Sequence, residues 1–405
     1  MGLFDSFDRK TCTLCGECFH QCPVLHLPLE DAKREIAALI DGSGTGMVLK
    51  KCTSCFSCNL ACPQSCNPAQ LILERWHSLN RDEGLPARAG YFIPHNRPNF
   101  RTYVQERLPE DEKDLVRRWD DAGPCEEILY PGCNILTAPY LMMTHLFDGI
   151  PIRGSLDLCC GEMYYRMGQF EQVEQVAHRL TEHFERMKLK RMLIPCTAGR
   201  NLFENILPRF GARFAFEIEH ALPWLLRRLE SGELKIRKRL DLTVTIQDSC
   251  HAKAFGDEYL DLPRRLLRML GAKVVEQAQC GKMMQCCGIG GGFSHAAGYH
   301  PLSILSTTAR ALNSARATGA NAVVTYCAGC MQQLAVGRLM VPLLWMEIFH
   351  LFELVQIAVG ETPARRLSSR ALLFATGVVR NQFPVLFSRR RHAMTGLETY
   401  HEQGR

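Results

Sequence analysis

Five cysteines between Cys250 and Cys330 carry the densest chemistry in this sequence. They stand as Asp248-Ser249-Cys250-His251, Cys286-Cys287-Gly288 and Cys327-Ala328-Gly329-Cys330, the spacing Cys-x35-Cys-Cys-Gly-x38-Cys-x2-Cys. Five soft ligands in three groups point to one metal centre. Strands must position them, because the β-prone runs 243–247 and 322–326 lead directly into Cys250 and Cys327. Those thiolates then sit at the carboxyl ends of strands, where open α/β sheets collect ligands. Between the cysteine groups, residues 262–270 and 304–317 have helical spacing and 273–276 reads as a strand, so the unit is a small parallel sheet covered by helices.

Residues 1–85 carry two copies of a different signature, Cys12-x2-Cys15-x2-Cys18-x3-Cys22-Pro23 and Cys52-x2-Cys55-x2-Cys58-x3-Cys62-Pro63. This pattern resembles the bacterial two-cluster ferredoxin run, in which three close thiolates hold one [4Fe–4S] cube and the fourth cysteine ligates the other. On that rule Cys12, Cys15, Cys18 and Cys62 hold one cube, and Cys52, Cys55, Cys58 and Cys22 hold the second. Two zinc ribbons are the alternative, although zinc knuckles use paired cysteines rather than triplets followed by Cys-Pro. Residues 29–40 are spaced as a helix, stopped at Asp41-Gly42. Cys66 falls outside the pattern and reads as a packed thiol. Residues 86–124 form a helical, charged connector without a catalytic constellation.

From residue 125 to about 240 the chain repeats the Cys250 to Cys330 unit in shortened form. Strand-like 128–130 runs towards Cys133, Cys159-Cys160-Gly161 follows, and 192–194 leads into Cys196. The final cysteine is missing, since Cys196-Thr197-Ala198-Gly199 stands where the second unit, 241–340, has Cys327-x2-Cys330. Cys133, Cys159, Cys160 and Cys196 could hold an ordinary cube, a modified cluster, or nothing. Cys125, just upstream, has no assigned role.

Composition sets the outer limits. The 405 residues suffice for two or three domains. Lys plus Arg (48) exceed Asp plus Glu (42) only mildly, so nucleic acid is not the expected partner. Twenty clustered cysteines in a long chain indicate metal ligands in a reducing, cytoplasmic setting rather than a disulfide-stapled fold. No uncharged apolar run of membrane-spanning length occurs.

Two ferredoxin motifs followed by two Cys-Cys-Gly units resemble the heterodisulfide reductase family, in particular its fused catalytic subunit. Related iron–sulfur subunits of respiratory complexes and of glycerol-3-phosphate and glycolate dehydrogenases share the arrangement. The resemblance implies a mixed fold: a mainly helical two-cluster ferredoxin domain, two pseudo-symmetric α/β Cys-Cys-Gly domains and a helical C-terminal segment, 341–405. It also implies a noncubane [4Fe–4S] cluster on Cys250, Cys286, Cys287, Cys327 and Cys330 that cleaves a disulfide-type bond. Gly199 departs from the family pattern of two complete motifs and favours a relative with one active centre. Implied partners are a flavoprotein, a cytochrome b or other membrane subunit, and a thiol, disulfide or sulfur-carrier substrate. The alternative is an electron-transfer subunit of a flavin dehydrogenase that passes electrons to quinone.

Other features carry less. Gly288 to Phe293 lacks the last glycine of a nucleotide loop, so no flavin or nucleotide is expected in this chain; its glycines suit close approach of backbone to a cluster. His251 could donate a proton to a departing thiolate or simply hydrogen-bond to backbone, and His295 stands similarly. Lys253 and Lys282 are either attractors of an anionic substrate or solvated charges. Cys280 reads as a spare thiol. Residues 341–359 suggest a buried or partner-facing helix. Apolar 371–387, flanked by Arg370 and Arg389 to Arg391, fits either a peripheral membrane or subunit contact or an ordinary helix before a solvated tail, with Gly377 and Pro384 opposing one unbroken helix.

Overall fold

The computed structural model describes residues 2–393, 396 and 397. The N-terminal part is helical, with short helices Glu17–His20, Val48–Lys51 and Ser57–Ala61 beside the cysteine loops and the longer Leu29–Asp41 and Pro68–Glu83 supporting them. Leu29–Asp41 buries Ala32, Ile36 and Leu39 on one face, and Gly42 at φ 76° ends it in the left-handed conformation.

The strands are short. β1 (Leu85–Pro86) follows the ferredoxin part. Next, β2 (Glu127–Leu129), β3 (Arg191–Ile194) and β4 (Glu217–His220) form a parallel sheet in that order. Then β5 (Thr243–Gln247), β6 (Lys273–Val274), β7 (Ala322–Thr325) and β8 (Glu347–His350) form a second parallel sheet, ordered β6-β5-β7-β8. Finally β9 (Arg391–His392) returns to pair antiparallel with β1. Parallel neighbours need crossovers, and helices Phe170–Met187, Gly256–Met269 and Pro301–Arg316 supply them.

In each sheet one strand leads into the first thiol (β2 to Cys133, β5 to Cys250) and the next into the last group (β3 to Cys196, β7 to Cys327). The edge strands β4 and β8 each end in a histidine whose ring accepts from the following helix: His220 from the Leu222 amide, His350 from the Phe352 amide.

The expected helix at 341–359 is instead a turn, β8 and a helix, Leu351–Val359. Ile348 and Phe349 are buried against β7, and a short apolar run carries no periodicity to separate strand from helix. The second sheet therefore continues past residue 340. The helix expected at 262–270 begins earlier, at Gly256, with Asp257 and Glu258 in its first turn. The strand expected at 273–276 is only two residues long.

The connector holds helices Phe100–Gln105 and Glu110–Trp119. The C-terminal helix Leu367–Asn381 lies against it and runs through Gly377, where an added Cβ would stand 2.3 Å from Tyr91 Oη. That glycine permits close packing rather than breaking the helix, which stops ahead of Pro384. Arg370 Nη2 donates to Glu112 Oε1 at 2.6 Å beneath this contact. Among the described residues no helix is long and apolar enough to cross a membrane. Of the expected basic tail, residues 394, 395 and 398–405 lie outside the described residues.

Candidate iron–sulfur site

The two ferredoxin loops are bent alike. Leu14 and Gly16 in the first, Ser54 and Phe56 in the second, all have φ between 45° and 77°. Such left-handed residues turn successive backbone amides inward, the concave arrangement that receives anionic groups, iron–sulfur clusters among them. The Ser54 amide lies 3.3 Å from Cys52 Sγ. A cavity among these loops is lined by Cys22, Cys52, Cys55 and Cys58, with apolar Phe19, Val24, Leu25, Phe56, Ala69 and Ile72 around them. Cys22, from the first motif, thus faces the three thiols of the second. Burial, followed by the charge of Cys62, Cys12 and Cys15, pushes the Cys18 thiol up, so Cys62 lies near the first triplet. Four thiols around a space otherwise lined by Thr53, Ser54 and apolar side chains fit the donor set of a cube.

The five thiols of the second Cys-Cys-Gly unit are all buried. Cys250 opens a turn directly after β5, and Cys327 precedes the helix Ala328–Met340, which carries Cys330 in its first turn. Cys286 and Cys330 hydrogen-bond to Cys287 and hold its thiol below the ordinary value. The glycines behave as backbone spacers: Gly288 has φ 129°, and the Gly290 amide lies 3.3 Å from Cys286 Sγ. A Cβ at Gly290 would meet the Thr53 carbonyl oxygen at 2.3 Å, so the glycine loop presses against the second ferredoxin loop.

In the first unit, Cys133 and Cys159 are hydrogen-bonded and Cys160 adjoins Cys159. Cys196 hydrogen-bonds to Cys327 of the second unit and feels Cys160 more weakly. The two cysteine groups therefore meet. Among the described residues no three His, Cys, Asp or Glu side chains converge as ligands of a single metal ion.

Three cations that the sequence did not single out, or read differently, complete the site. Arg166, 2% exposed, reaches both Cys250 Sγ and Cys286 Sγ, at 3.4 and 3.9 Å. Arg101 is also buried; the thiols of Cys133 and Cys159 hold its charge in place, and its Nε and Nη1 lack hydrogen-bond partners. The only sequence signal for Arg166 is a charge inside the apolar run after Cys159-Cys160-Gly161. Lys253 is neither a substrate attractor nor solvated, because its buried ammonium donates to the carbonyls of Cys55 and Met284. His251 binds side chains rather than backbone: Nε2 is 3.1 Å from Glu162 Oε1 and Nδ1 is 2.9 Å from Asn201 Nδ2. Burial, opposed and outweighed by His251 and Arg166, leaves the Glu162 carboxyl at about 2.

The remaining residues stand apart from this centre. Lys282 pairs with Asp257 at the surface. His295 joins Asn80, Glu83 and Arg391. Cys66 is buried beside Thr11 Oγ1, and its amide is 3.4 Å from Cys62 Sγ. Cys125 reaches the Glu127 carbonyl, and Cys280 is half-buried near Glu276.

Comparison with known proteins agrees with this layout. A 4Fe-4S dicluster domain matches residues 4–69, and a cysteine-rich domain matches twice, at 130–199 and 244–335. The chain thus joins a 4Fe-4S dicluster domain to two cysteine-rich domains. It is similar to one of the polypeptides of the dihydromethanophenazine:CoB--CoM heterodisulfide reductase of Methanosarcina mazei, 24% identical over 82% of this chain and 89% of that protein. It is also 24% identical to EtfAB:quinone oxidoreductase of Syntrophomonas wolfei subsp. wolfei, over 60% of this chain and 36% of the relative. The probable iron-sulfur-binding oxidoreductase FadF of Bacillus subtilis is 25% identical over 69% of this chain and 37% of its own length. The chain thus spans little more than a third of the last two. It is related to iron–sulfur oxidoreductase subunits at low identity.

Proposed function

We propose that the protein relays electrons through two ferredoxin-type [4Fe–4S] clusters to a noncubane [4Fe–4S] cluster held by Cys250, Cys286, Cys287, Cys327 and Cys330, where a disulfide or related sulfur–sulfur bond is reduced. The first cube is held by Cys12, Cys15, Cys18 and Cys62, the second by Cys22, Cys52, Cys55 and Cys58. The observation that carries this reading is the shared guanidinium: Arg166 contacts the second ferredoxin loop at Thr53 and the special thiols Cys250 and Cys286 together. When bound, the clusters supply one-electron steps at potentials set by their surroundings.

The chain's own residues do the rest. The reaction R–S–S–R′ + 2 e⁻ + 2 H⁺ → RSH + R′SH needs protons as well as electrons. His251, adjacent in sequence to Cys250 and hydrogen-bonded to Glu162, is placed to hold a proton for a departing thiolate. Arg166 and Lys253 bring positive charge to the junction between ferredoxin loop and special site. The correspondence of β2-β3-β4 with β5-β7-β8, to which the second sheet adds β6, supports reading the two as a pseudo-symmetric pair whose cysteine groups face one cleft.

Partner subunits fit the surface. Leu343 and Phe387 are 87% and 88% exposed, with Trp345 and Phe383 also open, which suits docking to another polypeptide of a redox complex.

The relatives that include a quinone oxidoreductase, together with Gly199 in the first unit, favour a second reading: an electron-transfer subunit only. Anaerobic protein reduced with a viologen dye separates the two. Dye oxidation that depends on an added low-molecular-weight disulfide, and is lost in Cys287→Ser, supports disulfide reduction. Oxidation by a quinone analogue but by no disulfide refutes it and leaves the electron-transfer role.

A further inference from the structure

Arg166 sits at the meeting point of three parts of the chain. It belongs to the short helix Glu162–Arg166 that follows Cys159-Cys160-Gly161 in the first Cys-Cys-Gly unit. Its Nη2 donates to the Thr53 carbonyl at 2.7 Å and its Nε to Ser54 Oγ at 3.0 Å, both between Cys52 and Cys55 of the second ferredoxin motif. On the other side, Nη1 lies 3.4 Å from Cys250 Sγ and Nη2 lies 3.9 Å from Cys286 Sγ. The guanidinium also lies 4.5 Å from the centre of the Phe293 ring.

The charge balance is uneven. A buried guanidinium needs compensating negative charge, and among the described residues the one carboxylate within reach is Glu162 Oε1 at 3.1 Å, which is itself shared with His251. Glu162 therefore compensates it only in part, and the rest of the charge falls on the sulfur side. The glycine loop is built around this group, since a Cβ at Gly290 would lie 2.9 Å from Nη2. Only a planar fork of donors can hold two loops and two sulfurs at once; an ammonium is a single point charge. Arg101 repeats the theme in the first unit, where it is paired electrostatically with Cys133 and Cys159, the counterparts of Cys250 and Cys286.

Resting on the functional reading above, we propose that Arg166 is a positioning residue that locks the second ferredoxin loop to the Cys250–Cys286 face of the special site and raises the reduction potential of the cluster held there. A fixed positive charge favours the more negative, reduced state of any group beside it. Removing that charge lowers the potential, and removing its compensating carboxylate raises it.

The test is an anaerobic redox titration of iron-loaded protein, followed by low-temperature electron paramagnetic resonance, on wild type, Arg166→Gln, Arg166→Lys and Glu162→Gln. The signal assigned to the special site is the one that Cys287→Ser removes. Arg166→Gln should shift its midpoint to lower potential and Glu162→Gln to higher potential, opposite signs that a general loosening of the fold does not produce. Arg166→Lys, which keeps charge but loses the fork, should fall between wild type and Arg166→Gln and change the line shape. If Arg166→Gln loses iron, the upward shift in Glu162→Gln decides the matter. Unchanged midpoints and line shapes, with the wild-type signal present, overturn the role of Arg166 alone. Absence from wild type of any signal that depends on Cys287 removes the proposed cluster itself, and this inference with it.

Discussion

The ammonium of Lys253 lies 3.0 Å from the carbonyl oxygen of Cys55, joining a residue of the second Cys-Cys-Gly unit to the loop of the second ferredoxin motif. The same nitrogen donates to Ser57 Oγ at 2.6 Å and to the Met284 carbonyl at 2.9 Å. Lys253→Met leaves these acceptors without their donor, at a cost of about 3 kcal/mol, since hydrogen bonds to charged groups and stranded buried acceptors each contribute in that range. The melting temperature of the iron-loaded variant should fall clearly below wild type; an unchanged melt would show that the junction is held by other contacts.

Glu112 and Arg370 form a fully buried pair that ties the connector to the C-terminal helix, with Arg366 as a third member. Glu112→Gln leaves the Arg370 charge uncompensated and should destabilise the protein by about 3–5 kcal/mol. The double variant Glu112→Met, Arg370→Met should recover much of that loss. Limited proteolysis reads the effect directly, as faster cleavage within 361–393 in the single variant than in the double.

Gly290→Ala should separate the two loops that Arg166 joins, because its Cβ would meet Thr53 O at 2.3 Å and Cys286 Sγ at 2.9 Å. Iron retention and yield should drop together. Gly319→Ala is the control: its φ of 71° carries strain of about 1–2 kcal/mol, but nothing stands within 4 Å of the new Cβ. Equal iron content in both variants would contradict the close approach.

Burial brings His350 down to about 4 and His220 well below its ordinary value. Each ring is neutral in the fold, where it caps a helix by accepting from a backbone amide. The folded state thus binds fewer protons than the unfolded chain, so this contribution is complete above pH ~6.5 and is lost as pH falls towards 4. For His350 the full span is about 3 kcal/mol at ~1.36 kcal/mol per pKa unit. His350→Asn keeps a capping side chain and should flatten the decline of melting temperature between pH 6.5 and 4; an equally steep decline would refute the assignment.

The cysteines were legible because ligand spacing is a local property, and β5 because its β-branched residues end at a functional turn. The motif rule also led to the expectation that Cys22 lies beside the second triplet, and the cavity they line brings these four thiols together. What sequence could not reach were the groups recruited over long separations. Arg166 meets Cys250 across 84 residues and Thr53 across 113, and Arg101 serves thiols from a connector that shows no constellation of its own. Lys253 was misread for the same reason, as nothing near it in sequence reveals the Cys55 carbonyl. The run 341–359 misled because Glu347 opens a strand and Glu353 stands in the first turn of the helix after it, so one apolar stretch covers both elements.

Low-temperature electron paramagnetic resonance of anaerobically purified protein, oxidised in the presence of simple thiols, tests the central claim most directly. The account predicts a paramagnetic signal in the oxidised state that depends on added thiol and is abolished by Cys287→Ser while the reduced signals of the ferredoxin-type clusters persist. Reduced cubane signals alone, untouched by any thiol, would contradict a substrate-reducing centre at Cys250, Cys286, Cys287, Cys327 and Cys330.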